Sequence, residues 1–381
     1  MIVKKIYTLY SIVLLAAVVL LSLQNAAHAA PTIGSVSGTI ADGSLITVGG
    51  ANFGANGPNI LLFDDFESGT HGSTINTGAG SATVGQWDRI QADFGGNQPI
   101  YDNAYSVSGS MANRGDQTVQ TTGPGDSTSA AVVDNINTTD VFISYWYYLP
   151  TTSSFPCTSG SYNCNWKAAW VYGATAADDD QVLPVGLPSS GTEPFTSWAI
   201  SCNDCYGPSV SWFNFSMYKG AWYRISAWVH ATDDNSSERD LWVMSTDKSM
   251  SVTQKVNWSG RIFKLPGDMF EHFSLNAWAR ECSGCAESAP RFDDVYLATG
   301  SSARARVIVG NASTYSSCTN LSIATVTSWS NTVVTATVRQ GSFSSLTNAY
   351  LYVIDANGVV NTTGYPLCPS CITPASSVSV N

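Results

Sequence analysis

Apolar and polar residues alternate with a period of two through much of this chain, and no useful length of it repeats with the period of a helix. In Phe270 to Glu281 one set is Phe270, His272, Ser274, Asn276, Trp278 and Arg280. The other is Glu271, Phe273, Leu275, Ala277, Ala279 and Glu281, apolar through its middle. Trp212, Asn214, Ser216 and Tyr218 likewise oppose Phe213, Phe215 and Met217. Arg224, Ser226, Trp228 and His230 oppose Tyr223, Ile225, Ala227 and Val229. Successive strand side chains point to opposite faces, so each run reads as an antiparallel strand with one face on a core and one toward water. Clusters of Gly, Pro, Asn, Asp and Ser punctuate the runs. The fold class expected is all-β.

The 381 residues are enough for about two domains. Aromatics at 11% argue against long disorder, and 28 acids against 17 bases argue against a nucleic-acid partner. Lys4 and Lys5 precede a mostly apolar run, Ile6 to Leu23, and then Ala27-His28-Ala29, a small-x-small cleavage pattern. Residues 1–29 therefore read as an export signal. No other stretch approaches the roughly 20 apolar residues of a spanning helix. The expectation is a secreted protein, or one at a bacterial cell surface or in the periplasm, with no membrane span after cleavage.

All nine cysteines lie beyond that signal, and export makes disulfides the default. The spacings favour short bridges, Cys157 with Cys164, Cys202 with Cys205 and Cys282 with Cys285. A four-thiolate zinc site from Cys202, Cys205, Cys282 and Cys285 is the competing reading, and it needs two distant loops to meet. An odd count leaves one thiol over, and Cys318 with Cys368 or Cys371 is the expected last pair.

Composition divides the chain. Residues 63–300 hold 26 of the 28 acids and 11 of the 12 tryptophans, whereas 31–62 and 301–366 are nearly uncharged and rich in Val, Ile and Thr. Two similar flanks around a different centre imply an insertion, which loop tips accept readily because loop-closure entropy grows slowly with length. Ile33-Gly34-Ser35-Val36-Ser37-Gly38 and the run Leu45 to Gly54 resemble the opening of an IPT/TIG immunoglobulin-like domain. Val307-Ile308-Val309-Gly310, the run Ser328 to Val338 and the run Tyr350 to Gly358 resemble its later strands. The centre's ends, Phe63-Asp64-Asp65-Phe66-Glu67-Ser68-Gly69 and Arg291-Phe292-Asp293-Asp294-Val295-Tyr296-Leu297-Ala298, resemble those of concanavalin A-like jelly rolls of the laminin-G and polysaccharide-lyase kind. The runs Val141 to Tyr148 and Asn165 to Lys167 resemble internal strands. These resemblances imply a jelly roll at 63–300 inserted into an immunoglobulin-like sandwich at 31–62 plus 301–366, with 367–381 as a tail.

If the three wet strand faces are neighbours, they merge into one surface. Trp212, Trp228 and Trp278 would stack on sugar rings, and Asn214, Asn276, Arg224 and Arg280 would bond hydroxyls or a uronate carboxylate. The resemblance implies a glycan on the concave sheet of such a jelly roll. A histidine on a strand is ordinarily a hydrogen-bonded structural residue, and Trp and Tyr suit any pleated surface. The leading expectation is an extracellular polysaccharide-binding or adhesion protein. A lyase acting by β-elimination on a uronate-containing glycan is the alternative, with His272 or His230 as base and Tyr218, Arg224, Arg280 and Asn276 in supporting roles. A structural cell-surface protein is the third reading. Glu271 and Glu281 lie on the face away from this surface, which disfavours a two-carboxylate glycoside hydrolase. The runs R-[ST]-E-L, Q-I-H and Y-F-K-A-G of well-known alginate lyases are absent. No cofactor is required by these readings. Asp64, Asp65, Glu67, Asp293 and Asp294, on the first and last strands of the centre, are candidates for structural calcium or for a solvated acidic edge.

Overall fold

The computed structural model describes residues 29–92, 97–115, 126–153, 166–174, 180–186, 193–202, 205–206, 210–280 and 289–368. Strands dominate from end to end. The first are β1 (Thr32–Gly38), β2 (Leu45–Ala51), β3 (Asn59–Asp64), β4 (Val84–Gly85), β5 (Arg89–Gln91), β6 (Ile100–Asp102), β7 (Ala112–Arg114) and β8 (Asp126–Ser127). Then come β9 (Ala130–Thr138), β10 (Asp140–Tyr148), β11 (Trp166–Tyr172), β12 (Gln181–Gly186), β13 (Phe195–Ser201), β14 (Val210–Met217), β15 (Trp222–His230) and β16 (Ser237–Ser245). The rest are β17 (Met250–Gly260), β18 (Phe270–Arg280), β19 (Arg291–Thr299), β20 (Arg306–Gly310), β21 (Leu321–Trp329), β22 (Val333–Thr337), β23 (Tyr350–Ile354) and β24 (Tyr365–Pro366).

Two large antiparallel sheets form a sandwich. One runs β17-β16-β15-β10-β19-β3-β4, with β6 and β7 at its side; the other runs β14-β13-β12-β11-β18-β9-β5, with β8 against β18. The alternation read from the sequence sorts their faces. Tyr145, Ile225, Val229 and Leu241 of the first sheet pack on Val171, Trp198, Phe213, Phe273 and Leu275 of the second. These side chains are almost wholly buried, each contributing about 1.5 to 3 kcal/mol of transfer free energy. The inward phenol of Tyr145 donates to the Leu183 carbonyl and so satisfies its one polar group.

The residues on either side of this sandwich fold together. β2 pairs with β22, Leu45 opposite Thr337 through Gly49 opposite Val333, and the seven-stranded order is β1-β2-β22-β21-β20-β23-β24. β21 bends the sheet over its own core: its first half pairs with β20 and its second half with β22. Ile46, Val48, Val307, Val309, Val334, Ala336, Leu351 and Val353 fill that core. The change from small to large sandwich falls between β2 and β3, since β3 pairs with β19.

The small sandwich covers the outer face of the nine-stranded sheet. Phe63, Phe142, Trp146 and Tyr296 bury against Ile308, Ile323 and Tyr352 in one apolar cluster. The Arg306 guanidinium lies 4.2 Å from the Phe142 ring, and Arg224 Nη1 donates to the Leu321 carbonyl at 2.7 Å.

The cysteines correct one expectation. Cys202 and Cys205 are joined, with their Cα atoms 5.9 Å apart, so they are not a pair of zinc thiolates. Cys318 is free and buried, and Cys368 is in a disulfide of its own, so the expected Cys318–Cys368 bridge does not form. The Cys318 thiol instead lies 3.6 Å from the Thr314 carbonyl, against Tyr352. Cys157, Cys164, Cys282, Cys285, Cys371 and residues 1–28 of the export signal lie outside the described residues.

Phe142→Ala removes the ring under Arg306 at the junction of the two sandwiches. It is expected to cost about 3 to 5 kcal/mol in denaturant unfolding, whereas Trp212→Ala on exposed β14 should stay within about 0.5 kcal/mol.

Candidate functional site

Cross-strand register builds a row of polar side chains on the outer face of the eight-stranded sheet. β18 pairs with β9 so that His272 stands opposite Asp134, and with β11 so that Tyr172 stands opposite His272. Their chain neighbours Val133, Val171 and Phe273 point into the core, which fixes Asp134, Tyr172 and His272 on the other side. On β5, Arg89 stands opposite Val132, two residues from Asp134 and on the same face. Four side chains from four adjacent strands therefore converge.

Their geometry is close. His272 Nδ1 lies 2.6 Å from Asp134 Oδ1. Arg89 Nε donates to both Asp134 oxygens, at 3.2 and 3.0 Å; its Nη2 donates to Tyr172 Oη at 3.1 Å and its Nη1 to Gln91 Oε1 at 3.2 Å. The Tyr172 and His272 rings are 4.9 Å apart. The Asp134 carboxylate accepts from Nδ1–H, which leaves the lone pair of a neutral imidazole on Nε2. Burial raises the Tyr172 phenol above its ordinary pKa, with Arg89 offsetting part of this, so the hydroxyl keeps its proton at neutral pH. Burial works to lower the Arg89 pKa, but Tyr172 and Asp134 together outweigh it and the guanidinium stays charged. Trp170 extends the row along β11: its indole N–H donates to Asp180 at 2.9 Å, and Lys167 Nζ lies 3.7 Å from its ring centre.

Of the residues expected from the sequence, His272 is in this constellation. Asn276, Trp278 and Arg280 continue along β18, Trp278 opposite Lys167 and Arg280 opposite Asp126; their side chains lie outside what is described. Trp212 and Asn214 are on β14, the far edge of the same sheet, and Trp212 is 61% exposed. Four strand spacings, roughly 19 Å, separate β14 from β18. Tyr218 follows β14 and is half-buried, its backbone N–H bonded to Tyr223 Oη at 2.9 Å.

The expected merging of three strand faces is corrected at β15, which belongs to the other sheet. The polar side of β15 faces the small sandwich, because Tyr223, Ile225 and Val229 take its core side. Arg224 is buried there, its Nε bonded to Ser144 Oγ at 3.0 Å. Trp228 lies under the Arg304 guanidinium at 4.2 Å. His230 Nδ1 lies 2.7 Å from Asp140 Oδ1. The period of two told which residues share a face of one strand, but not which strands share a sheet.

The five acidic candidates lie at the paired strands β3 and β19, Val295 opposite Asp64, and each has protein donors. Asp64 accepts from Phe66 N–H at 3.0 Å and Trp87 Nε1 at 2.7 Å, and burial pushes its pKa up to about 7. Asp65 accepts from Thr83 Oγ1 at 2.6 Å, and Glu67 from the N–H groups of Ser110 and Met111, both at 2.7 Å. Asp293 accepts from Val107 and Ser108 N–H at 2.8 and 3.1 Å, and Asp294 from Ser108 Oγ at 2.8 Å. Among the described residues no three His, Cys, Asp or Glu side chains gather as a metal site.

Arg89, Asp134, Tyr172, Trp170 and Lys167 were not singled out from the sequence. Asp134 had a signal: it is the one charge in the apolar run Ala130 to Val133 and its continuation. Trp170 and Tyr172 share a face of a strand whose first half was noted, and sorting the rest of it would have placed them beside His272.

No model of a protein family matches the chain, and no curated protein is similar to it in sequence. Among solved structures it is similar to an endo-β-1,4-glucuronan lyase from the fungus Trichoderma reesei, at 12% identity and TM-score 0.42, over 61% of this chain and 96% of that one. It is similar to a marine PL-14 alginate lyase from Aplysia kurodai, at 11% identity and TM-score 0.39, over 60% and 97%. Lectin II from Ulex europaeus matches at 8% identity and TM-score 0.35, over 55% and 91%.

The His230–Asp140 pair generates a pH test. The hydrogen bond to Asp140 raises the His230 pKa, outweighing partial burial. Its stabilisation is therefore complete below the unfolded value of about 6.5 and is lost as pH rises through the folded value. His230→Ala is expected to lower thermal stability more at pH 5.5 than at pH 8.5. Solvent screening at this half-exposed pair holds the difference to about 1 kcal/mol or less.

Proposed function

We propose that this protein acts on a uronate-containing polysaccharide by β-elimination, with the glycan lying across the outer face of the eight-stranded sheet. The observation that carries the reading is the row Asp134–His272–Tyr172 with Arg89 beside it. An imidazole oriented by a carboxylate, beside a protonated phenol and a guanidinium, supplies the base, acid and carboxylate-binding group that β-elimination needs.

Each group has a part. The remaining N–H groups of Arg89 take the substrate carboxylate and stabilise the charge that develops when the neighbouring proton leaves. His272 Nε2 removes the proton from C5, and Asp134 stabilises the imidazolium so formed. The electron pair of the broken C5–H bond forms the C4=C5 double bond as the C4–O4 bond breaks. The departing oxygen takes the Tyr172 proton. Proton transfer through solvent then restores the imidazole and the phenol. Exposed Trp212 extends the surface as a stacking platform for sugar units away from the scissile bond. The small sandwich is, on this reading, an IPT/TIG-type spacer, and the Cys202–Cys205 bridge suits an oxidising, extracellular setting.

The test is absorbance of the unsaturated uronate on incubation with a panel of polyuronates. His272→Ala and Tyr172→Phe are each expected to lower kcat by about 10²- to 10⁴-fold. Retention on a polyuronate with no rise in absorbance from the wild type would instead make the face a binding surface. A rise that survives both substitutions would move the chemistry elsewhere.

A further inference from the structure

A second site lies where the two sandwiches meet. Val252 N–H bonds to the Cys318 carbonyl at 3.0 Å and holds one end of β17 against the small sandwich. Beside this contact is a cleft of about 570 Å³, within the range of small-molecule sites. Strands β16 and β17 form one wall; Arg304, β20 and the segment after β23 form the other. It is on the opposite sheet from His272.

Its walls are built for a polar guest with an apolar face. Half-buried Trp242 lines the cleft. Opposite it on β17 is Gln254, whose amide donates to Asp240 Oδ1 at 2.9 Å; Asn257 stands opposite Asp240. Gln254 and Asn257 are exposed. Arg304 reaches in to bond Asp240 Oδ2 at 3.1 Å, and its guanidinium lies 5.7 Å from the Trp242 ring. Gly358, at φ +81°, makes room for it, since a Cβ there would sit 2.4 Å from Arg304 Nη2. Arg306 is buried and lines the same cleft.

Charge selects the guest. Glu238 and Asp240 balance Arg304 and Arg306, so the cleft carries no net charge that would favour an anion. Carboxylates, amides and guanidinium donors around one indole match vicinal hydroxyls on a ring with an apolar face. We infer that the junction cleft binds a neutral saccharide unit, stacked on Trp242 and hydrogen-bonded by Asp240, Gln254, Asn257 and Arg304. A protein with this site would grip a neutral glycan while the eight-stranded sheet engages an acidic one.

Calorimetric titration of the full chain with neutral gluco-, manno-, xylo- and galacto-oligosaccharides tests this. One of them is expected to bind with a micromolar-to-millimolar Kd. Trp242→Ala and the double variant Gln254→Ala/Asn257→Ala should each weaken it at least tenfold, whereas His272→Ala should leave that Kd unchanged. The double variant alters exposed side chains only and keeps the test valid if Trp242→Ala fails to fold. Absence of binding by every oligosaccharide at millimolar concentration would overturn the inference. So would binding that is lost in His272→Ala or unaffected in the double variant. None of these outcomes bears on the elimination chemistry, which is read by absorbance on polyuronates.

Discussion

Burial of the aromatic outer face of the nine-stranded sheet organises this molecule. A sandwich of two large sheets has two outer faces, and either could carry a ligand. Here Phe63, Phe142, Trp146 and Tyr296 are covered by Ile308, Ile323 and Tyr352 of the small sandwich. That apolar contact turns Arg224 and Trp228 into interface residues. The eight-stranded sheet is left with the outer face on which polar side chains from several strands can meet a polymer. The same contact creates the junction cleft, because the small sandwich meets β17 at Val252 while Gln254 and Asn257 stay exposed.

On the remaining face, register decides which side chains meet. A slip of one residue in β9 or β11 would send Asp134 or Tyr172 into the core and bring Val133 or Val171 out. The large apolar contribution of the inner face therefore also holds His272 between its two partners. Arg89 closes the arrangement from β5, bonded to both Asp134 and Tyr172, so that positive charge and a proton donor stand at one place on the sheet.

Much of the fold was legible in the sequence, and less of the site. The period of two identified strand runs and their core sides, as at Phe213, Phe215, Phe273 and Leu275. The contrast between Val-, Ile- and Thr-rich flanks and the charged centre matches the pairing of β2 with β22 across the whole large sandwich. His272 was reached because the faces of β18 sort cleanly. Arg224, Trp228 and His230 were grouped with it because strand adjacency depends on crossovers that local alternation does not encode. Arg89 lies on a three-residue strand too short to show a period. Cys318 looked like half of a bridge by counting alone, yet its thiol is free and lies buried against Tyr352.

A crystal structure of the Tyr172→Phe variant soaked with the uronate oligosaccharide that the wild type engages best tests the proposed elimination site most directly. The chain of sugars is expected across the eight-stranded sheet, with one uronate carboxylate on Arg89 and its C5 within hydrogen-bond reach of His272 Nε2. Density for the oligosaccharide elsewhere, with the row Asp134–His272–Tyr172 untouched, would contradict the proposal.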